Sequence, residues 1–165
     1  MIVRRLTAVA LALGLWACNP ASSPSLEGAW RVLQVQLIGP DGAATVLPHQ
    51  ESLFLFTGDH YSMVYAFGEA PSPPYAERWR PSAEEKLARF SSMIVNGGSY
   101  RISGDRIVAR PAVAAAPEFV NGEARFRFRF VADTLELTWD ESIAFDGLPY
   151  PSGGTITRFR LVRIR

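Results

Sequence analysis

Few side chains in this sequence could carry out covalent or metal chemistry. The 165 residues include one cysteine, Cys18, and two histidines, His49 and His60. A zinc site needs three or four ligands, and neither histidine has other ligands at a suitable spacing. Asp59 and His60 could form an acid–base pair, but we favour a polar hairpin turn there. With no Ser-His-Asp order, phosphate loop or nucleophile elbow, the sequence predicts no catalytic residue, metal or cofactor.

Cys18 stands directly after a short apolar segment that has basic residues before it. Arg4 and Arg5 precede the stretch from Leu6 to Trp16, and Ala17 supplies a small residue before the cysteine. This is the layout of a secretory signal. As a helix the apolar stretch would rise only about 17 Å, well short of a hydrocarbon core of about 30 Å. The pattern therefore predicts an exported chain rather than a permanent membrane span.

The run Leu15-Trp16-Ala17-Cys18 resembles the lipobox of bacterial lipoproteins. The resemblance implies a diacylglycerol thioether on Cys18, cleavage before it, and therefore a signal peptide over residues 1–17. Multiple acyl chains would hold the protein stably on a membrane. Asn19 at the next position implies the outer membrane of the cell envelope, facing the periplasm. The alternative is a plain secretory signal followed by a free cysteine.

Composition beyond the signal indicates one ordinary globular domain. Removal of 17 residues leaves 148, enough for a single domain with its own core. The remaining 15 basic and 16 acidic residues give a net charge of −1, which argues against a nucleic-acid partner. Residues 18–25 are polar and rich in proline and serine, as in a tether. The domain is therefore expected over residues 26–165, in an oligomeric state that the sequence leaves open.

Period-two patterning and turn residues predict eight short strands in this domain. They are expected at Trp30–Ile38, Ser52–Phe56, Tyr61–Phe67, Ser99–Ser103, Arg106–Arg110, Ala124–Val131, Thr134–Trp139 and Thr155–Ile164. A capping-box signature at Ser82 and Glu85 predicts one helix over about 82–95, inserted between strands three and four, and Asn96-Gly97-Gly98 is a plausible stop for it. Eight antiparallel strands suit a closed barrel, although a two-sheet sandwich would show the same signals.

The run Leu26-Glu-Gly28-Ala-Trp30-Arg31 resembles the Gly-x-Trp opening of lipocalins, and the domain is similar to bacterial lipocalin-like domains. The resemblance implies a mainly β fold, an eight-stranded antiparallel lipocalin-like barrel. It also implies that Trp30 plugs the closed end of the barrel beneath an arginine of the last strand. Arg158 or Arg160 is the expected partner, through a cation–π contact.

A wall for a small hydrophobic ligand is predicted on the strands that carry aromatic residues. Tyr61, Met63, Tyr65 and Phe67 share one face of the third predicted strand, and could line an apolar cavity with phenolic groups or simply fill the core. The wall could be extended by Tyr100, Leu135, Leu137 and Trp139. The expected ligand-binding residues are Gln34, Tyr61, Met63, Tyr65, Tyr100 and Trp139.

Two further patterns concern which residues face inward. The first strand is apolar on both faces, so a helix stripe of Leu87, Phe90 and Ile94 could cover its outer face and leave Gln34 and Gln36 pointing inward with Trp30. Between Ala124 and Val131, arginines alternate with phenylalanines. We expect the phenylalanines inside and the arginines in water, because burying three unpartnered cations would cost several kcal/mol each.

The sequence thus favours a lipid-anchored envelope protein whose barrel binds a small hydrophobic or amphipathic ligand. One alternative is a barrel enzyme of the cyclase or isomerase type. The other is a non-catalytic interaction protein with a filled barrel.

Overall fold

The computed structural model describes residues 25–68 and 72–164, which form a mainly β structure. The strands are β1 (Gly28–Ile38), β2 (Ala44–Leu47), β3 (Leu53–Thr57), β4 (His60–Ala66), β5 (Met93–Ser103), β6 (Arg106–Ala114), β7 (Glu123–Val131), β8 (Thr134–Ile143) and β9 (Ile156–Arg163). The α-helix is α1 (Ala83–Ser91), and a 3₁₀ turn covers Pro117–Phe119. Within the described ranges, no helix combines the length and apolarity needed to cross a membrane.

The sheet closes into a barrel of eight antiparallel strands. The pairing order runs from β1 through β3 and on to β9, and β9 pairs back onto β1 over Trp30–Ile38. Closure confirms the predicted eight-stranded barrel and excludes the two-sheet sandwich. The sequence patterns did not predict β2, a ninth strand that pairs only with the second half of β1, from Val35 to Ile38. The lipocalin-like label stays a prediction.

The two ends of the barrel differ in how the strands are connected. At one end, which we call the closed end, two-residue turns join β3 to β4, β5 to β6 and β7 to β8. Gly58, Gly104 and Ala132 have positive φ in these turns, as tight hairpins require. At the opposite end, which we call the loop end, longer segments connect the strands, including the one that carries α1. Any route into the interior is therefore expected at the loop end.

Trp30 plugs the closed end. Its side chain is 2% exposed, and the indole Nε1 donates a hydrogen bond of 2.8 Å to the Leu26 carbonyl. The Arg163 guanidinium carbon lies 4.4 Å from the centre of the Trp30 ring, in cation–π geometry. Arg163 also donates hydrogen bonds to the Ser25 and Glu27 carbonyls. One arginine thus ties the last strand to the segment that leads into the first.

The prediction that Arg158 or Arg160 covers Trp30 is wrong. Strand alternation explains why. Phe159 and Leu161 are fully buried inside the barrel, so Arg163 shares their face and the two other arginines project outward. Arg163 is also the residue directly paired with Trp30 between β9 and β1.

Gln34 and Gln36 do not face inward, contrary to the expectation. A β-bulge at Leu33 adds one residue to β1 between the pairs Val32–Leu161 and Gln34–Arg160. The extra residue reverses the alternation, so that Val35 becomes fully buried and both glutamines share the outer face with Arg158 and Arg160. Gln34 therefore lies on the outside of the barrel, and its prediction as a ligand-binding residue is wrong.

Helix α1 is shorter than predicted and does not cover the barrel. The capping box forms, since Ser82 Oγ accepts from the Glu85 amide and the Glu85 carboxylate accepts from the Ser82 amide. The helix ends at Ser91, however, and β5 begins at Met93, so the predicted extension to 95 is wrong. Leu87 and Phe90 are exposed.

On β7 the expected alternation is observed. Phe126, Phe128 and Phe130 project inward, and the three arginines between and before them project outward. Each of these arginines has an acidic partner on the outer face. Arg125 bonds Glu123 and Glu141, Arg127 bonds Asp140, and Arg129 bonds Glu136. The outer face carries the charge, and the interior receives the aromatic rings.

We predict that Arg163→Ala lowers the free energy of unfolding by about 1–3 kcal/mol, because it removes charge-assisted hydrogen bonds and a cation–π contact. Arg160→Ala, a matched control on the outer face of the same strand, should change it by less than about 0.5 kcal/mol. Urea unfolding of both variants measures the difference. Equal effects of the two substitutions would contradict the assigned role of Arg163.

Candidate functional site

Strand β4 carries three of the aromatic and apolar side chains that the sequence assigns to one face. Tyr61, Met63 and Tyr65 alternate with half-buried residues and all project into the barrel, where each is less than 10% exposed. Tyr61 pairs with Phe56 of β3, and Met63 pairs with Phe54. The predicted burial of these three side chains is therefore observed.

The hydroxyl groups of Tyr61 and Tyr65 are buried and have no hydrogen-bond partner among the described residues. A buried polar atom without a partner costs about 1–3 kcal/mol, and most such atoms in proteins are satisfied. Burial also raises the pKa of the Tyr65 phenol to about 12 and that of Tyr61 further. Both groups are therefore neutral hydrogen-bond donors at physiological pH.

Aromatic rings hold Tyr65 in place. Its ring makes edge-to-face contacts with Phe67 and Phe159, at centroid distances of 4.7 and 5.5 Å. The His49 ring lies 6.4 Å away in a tilted arrangement, and His49 Nδ1 lies 2.8 Å from the Gln50 carbonyl. These contacts surround the ring of Tyr65 but leave its hydroxyl unsatisfied.

Tyr100 and Trp139 also lie in the barrel wall, but in different settings. Tyr100 is buried against Phe56, with ring centroids 5.4 Å apart, and burial together with the charges of Glu27 and Asp59 raises its pKa. Trp139 is half-buried, and its Nε1 donates to Ser142 Oγ over 2.7 Å. Leu135 and Leu137 of the same strand are buried as predicted.

Asn96 is a buried polar residue that the sequence analysis missed as part of the interior. The sequence predicts it in the helix stop, whereas the structure places it on β5, paired with Met63 and Ala114 and 6% exposed. Gly98, taken as a helix stop, lies beside a β-bulge at Ala112, where a Cβ would stand 2.6 Å from the Ala112 nitrogen. The bulge thus requires glycine there for close strand approach, a signal easily confused with helix termination.

Charged side chains do not occur among the buried residues of the described chain. The buried polar residues there are Ser52, Asn96 and Ser142, besides the tyrosines. Ser52 is satisfied, since its hydroxyl donates to the Gln50 carbonyl and accepts from the Ala66 amide. The interior is thus apolar and neutral, with two free phenolic donors.

The Asp59–His60 pair belongs to a turn at the closed end. Its Oδ1 and Nδ1 atoms are 2.6 Å apart, and both side chains are largely exposed. His49 lies toward the loop end, so the two histidines do not meet. No group of three potential metal ligands occurs in the described ranges. An open cleft of about 480 Å³ at the closed end is lined by Glu27, Gly28, Leu55, Phe56 and Thr57, none of which was a predicted ligand-binding residue.

Chemically, the two buried phenols can donate hydrogen bonds to an acceptor that reaches them. At neutral pH the two phenols cannot act as bases, because burial keeps them protonated. No carboxylate is buried in the described interior, and the imidazole beside Tyr65, that of His49, is half-buried with its Nδ1 2.8 Å from the Gln50 carbonyl.

Comparison with known proteins leaves the family open. No protein-family description matches the sequence, and neither does any curated protein. Among solved structures, an uncharacterized protein from Bacteroides eggerthii DSM 20697 is similar, with 12% sequence identity and a TM-score of 0.42. The alignment covers 85% of this chain and 100% of that one. Similarity at this level supports no inference about fold or function.

We predict that burial of the two phenols makes the protein lose stability at alkaline pH. An unfolded tyrosine titrates near pH 10, so between about pH 10 and pH 12 the unfolded chain releases protons that the folded chain retains. The contribution of the two phenols to the free energy of unfolding is complete below about pH 10 and is lost as the pH rises towards 12. The free energy of unfolding, measured with urea, should fall less steeply with pH in Tyr61→Phe/Tyr65→Phe than in the control Tyr150→Phe, whose ring is exposed. Identical slopes would contradict burial of the phenols.

Proposed function

We propose that this protein is a lipid-anchored component of the bacterial cell envelope, whose barrel binds a small hydrophobic or amphipathic molecule. The single observation that carries the proposal is the pair of buried, unpartnered hydroxyls on Tyr61 and Tyr65. An interior that only had to be filled would be more stable with phenylalanine at both positions. A bound molecule with a hydrogen-bond acceptor would remove the penalty.

The two ends of the barrel support entry of a ligand from the loop end. Trp30, Leu26 and Phe130 pack together at the closed end, where Arg163 covers the indole. Tyr65 lies nearer the opposite end, beside His49 and Phe67. A ligand that enters from the loop end would therefore meet Tyr65 before Tyr61.

The proposed anchor rests on the sequence around Cys18, which lies outside the described residues. Ser25, the first described residue, sits at the closed end, where its carbonyl accepts from Arg163. A tether of seven residues reaches about 25 Å when fully extended. A lipid on Cys18 would therefore hold the closed end toward the membrane and direct the loop end away from it.

Catalysis of a cyclase or isomerase type is less well supported. Such chemistry needs a group that accepts or releases a proton near neutral pH, and the interior phenols are neutral well above that range. The neutral interior suits retention of a molecule rather than its conversion.

We predict that the protein, extracted from its own host in mild detergent, carries a small molecule. Native mass spectrometry should show an added mass that disappears on denaturation. In Tyr61→Phe/Tyr65→Phe the occupied fraction should fall, because both donors are removed while the rings remain. A protein that is always empty would contradict ligand binding and favour a filled barrel.

Lipidation of Cys18 is predicted separately. The mature protein should begin at Cys18, carry the mass of a diacylglycerol group, and incorporate an alkyne-labelled fatty acid in growing cells. Cys18→Ser should abolish the label, because Cys18 is the only thiol in the chain, and should block cleavage, because cleavage in lipoproteins follows lipidation. A mature chain that starts beyond Cys18 and lacks lipid would contradict the anchor.

A further inference from the structure

The interior of the barrel constrains the charge of any molecule that it holds. Among the described residues, buried side chains are apolar or neutral, and the polar ones are Ser52, Asn96, Ser142 and the tyrosines. A carboxylate or an ammonium group in such a site would lose its hydration without gaining an opposite charge. That loss costs several kcal/mol even after relaxation of the protein.

Arginines are numerous in the wall of the barrel, but they are directed away from its interior. Arg125, Arg127 and Arg129 project outward from β7 and bond carboxylates on the same outer face. Arg158 and Arg160 of β9 also share the outer face. Arg163, which does share the inner face of β9, lies beyond the plug over Trp30 and donates to backbone carbonyls. None of these cations is available to neutralise an anionic ligand inside.

The two free hydroxyls constrain the polar groups of the ligand. A phenol is both a donor and a weaker acceptor, and the unsatisfied donor carries most of the penalty. Tyr61 and Tyr65 lie four residues apart on one face of β4, so their Cα atoms are separated by about 13 Å along the strand. A partner for them must present an acceptor oxygen within an otherwise apolar body.

We propose that the ligand is an uncharged, largely apolar molecule that carries a carbonyl, ester or ether oxygen, which accepts a hydrogen bond from Tyr61 or Tyr65. The inference rests on the proposed ligand-binding function and narrows it to one chemical class. It excludes free fatty acids and other anionic amphiphiles, which share the apolar body but bring a charge.

The test compares matched probes on the chain from residue 19 onward, which contains every residue of the barrel core. The probes are 2-decanone, decanoate and decane, titrated at neutral pH with intrinsic tryptophan fluorescence as the readout. The ketone should bind at least about tenfold more tightly than the carboxylate, since a tenfold ratio requires only about 1.4 kcal/mol. Tyr61→Phe/Tyr65→Phe should weaken ketone binding about threefold to tenfold and leave decane binding unchanged.

Tyr150→Phe is the matched control, because its ring is exposed and lies outside the barrel strands. Ketone binding should be unaffected by it. Circular dichroism of each variant establishes that the barrel is folded.

Three outcomes would overturn the inference. Binding of decanoate as tight as that of the ketone would show that charge is tolerated, and would leave the binding function intact. Unchanged ketone affinity in the double phenylalanine variant would show that the hydroxyls do not recognise the oxygen. Failure of all three probes, together with an empty protein in native mass spectrometry, would overturn the binding function as well.

Discussion

Pairing between β1 and β9 is the constraint on which the rest of the barrel depends. It converts an open sheet into a closed one and so removes two exposed edges. Trp30 and Arg163 are directly paired in this seam, where the indole seals the interior and the guanidinium covers the indole. Closure therefore fixes both the shape of the interior and the end at which it is blocked.

The barrel wall separates charge from aromatic surface with little overlap. Along β7, alternation alone assigns phenylalanine to the inside and arginine to the outside, and each of these arginines finds an acidic partner on β7 or β8. Exposed ion pairs of this kind contribute little to stability, typically below about 1 kcal/mol each. Their larger effect is to keep charges out of an interior whose polar groups are all neutral.

Alternation and turn signals made eight of the nine strands, their closure into an antiparallel barrel and the inward side chains of β4 and β7 predictable from sequence. The errors arise where a single residue changes the phase of a strand. A bulge at Leu33 turns Gln34 outward. A bulge at Ala112 requires glycine at position 98, and that glycine resembles a helix stop in the sequence. Arg163, rather than Arg158 or Arg160, covers Trp30 because it alternates in phase with Phe159 and Leu161. Predicting this would have required the register of β9 against β1. The unsatisfied hydroxyls depend on three-dimensional packing, which no sequence pattern encodes.

The seam between the first and last barrel strands also determines when the fold can be completed. The Arg163–Glu27 hydrogen bond joins residues 136 positions apart, and the neighbouring β1–β9 contacts are almost as distant in sequence. Hairpins from β3 to β8 can form from local contacts, but the barrel stays open until β9 pairs with β1. Contacts of such long range slow folding, because the entropy of the intervening loop is lost before they form. Until β9 arrives, the aromatic faces of the other strands stay exposed to solvent, so the chain is most prone to aggregation before the final arginine reaches Trp30.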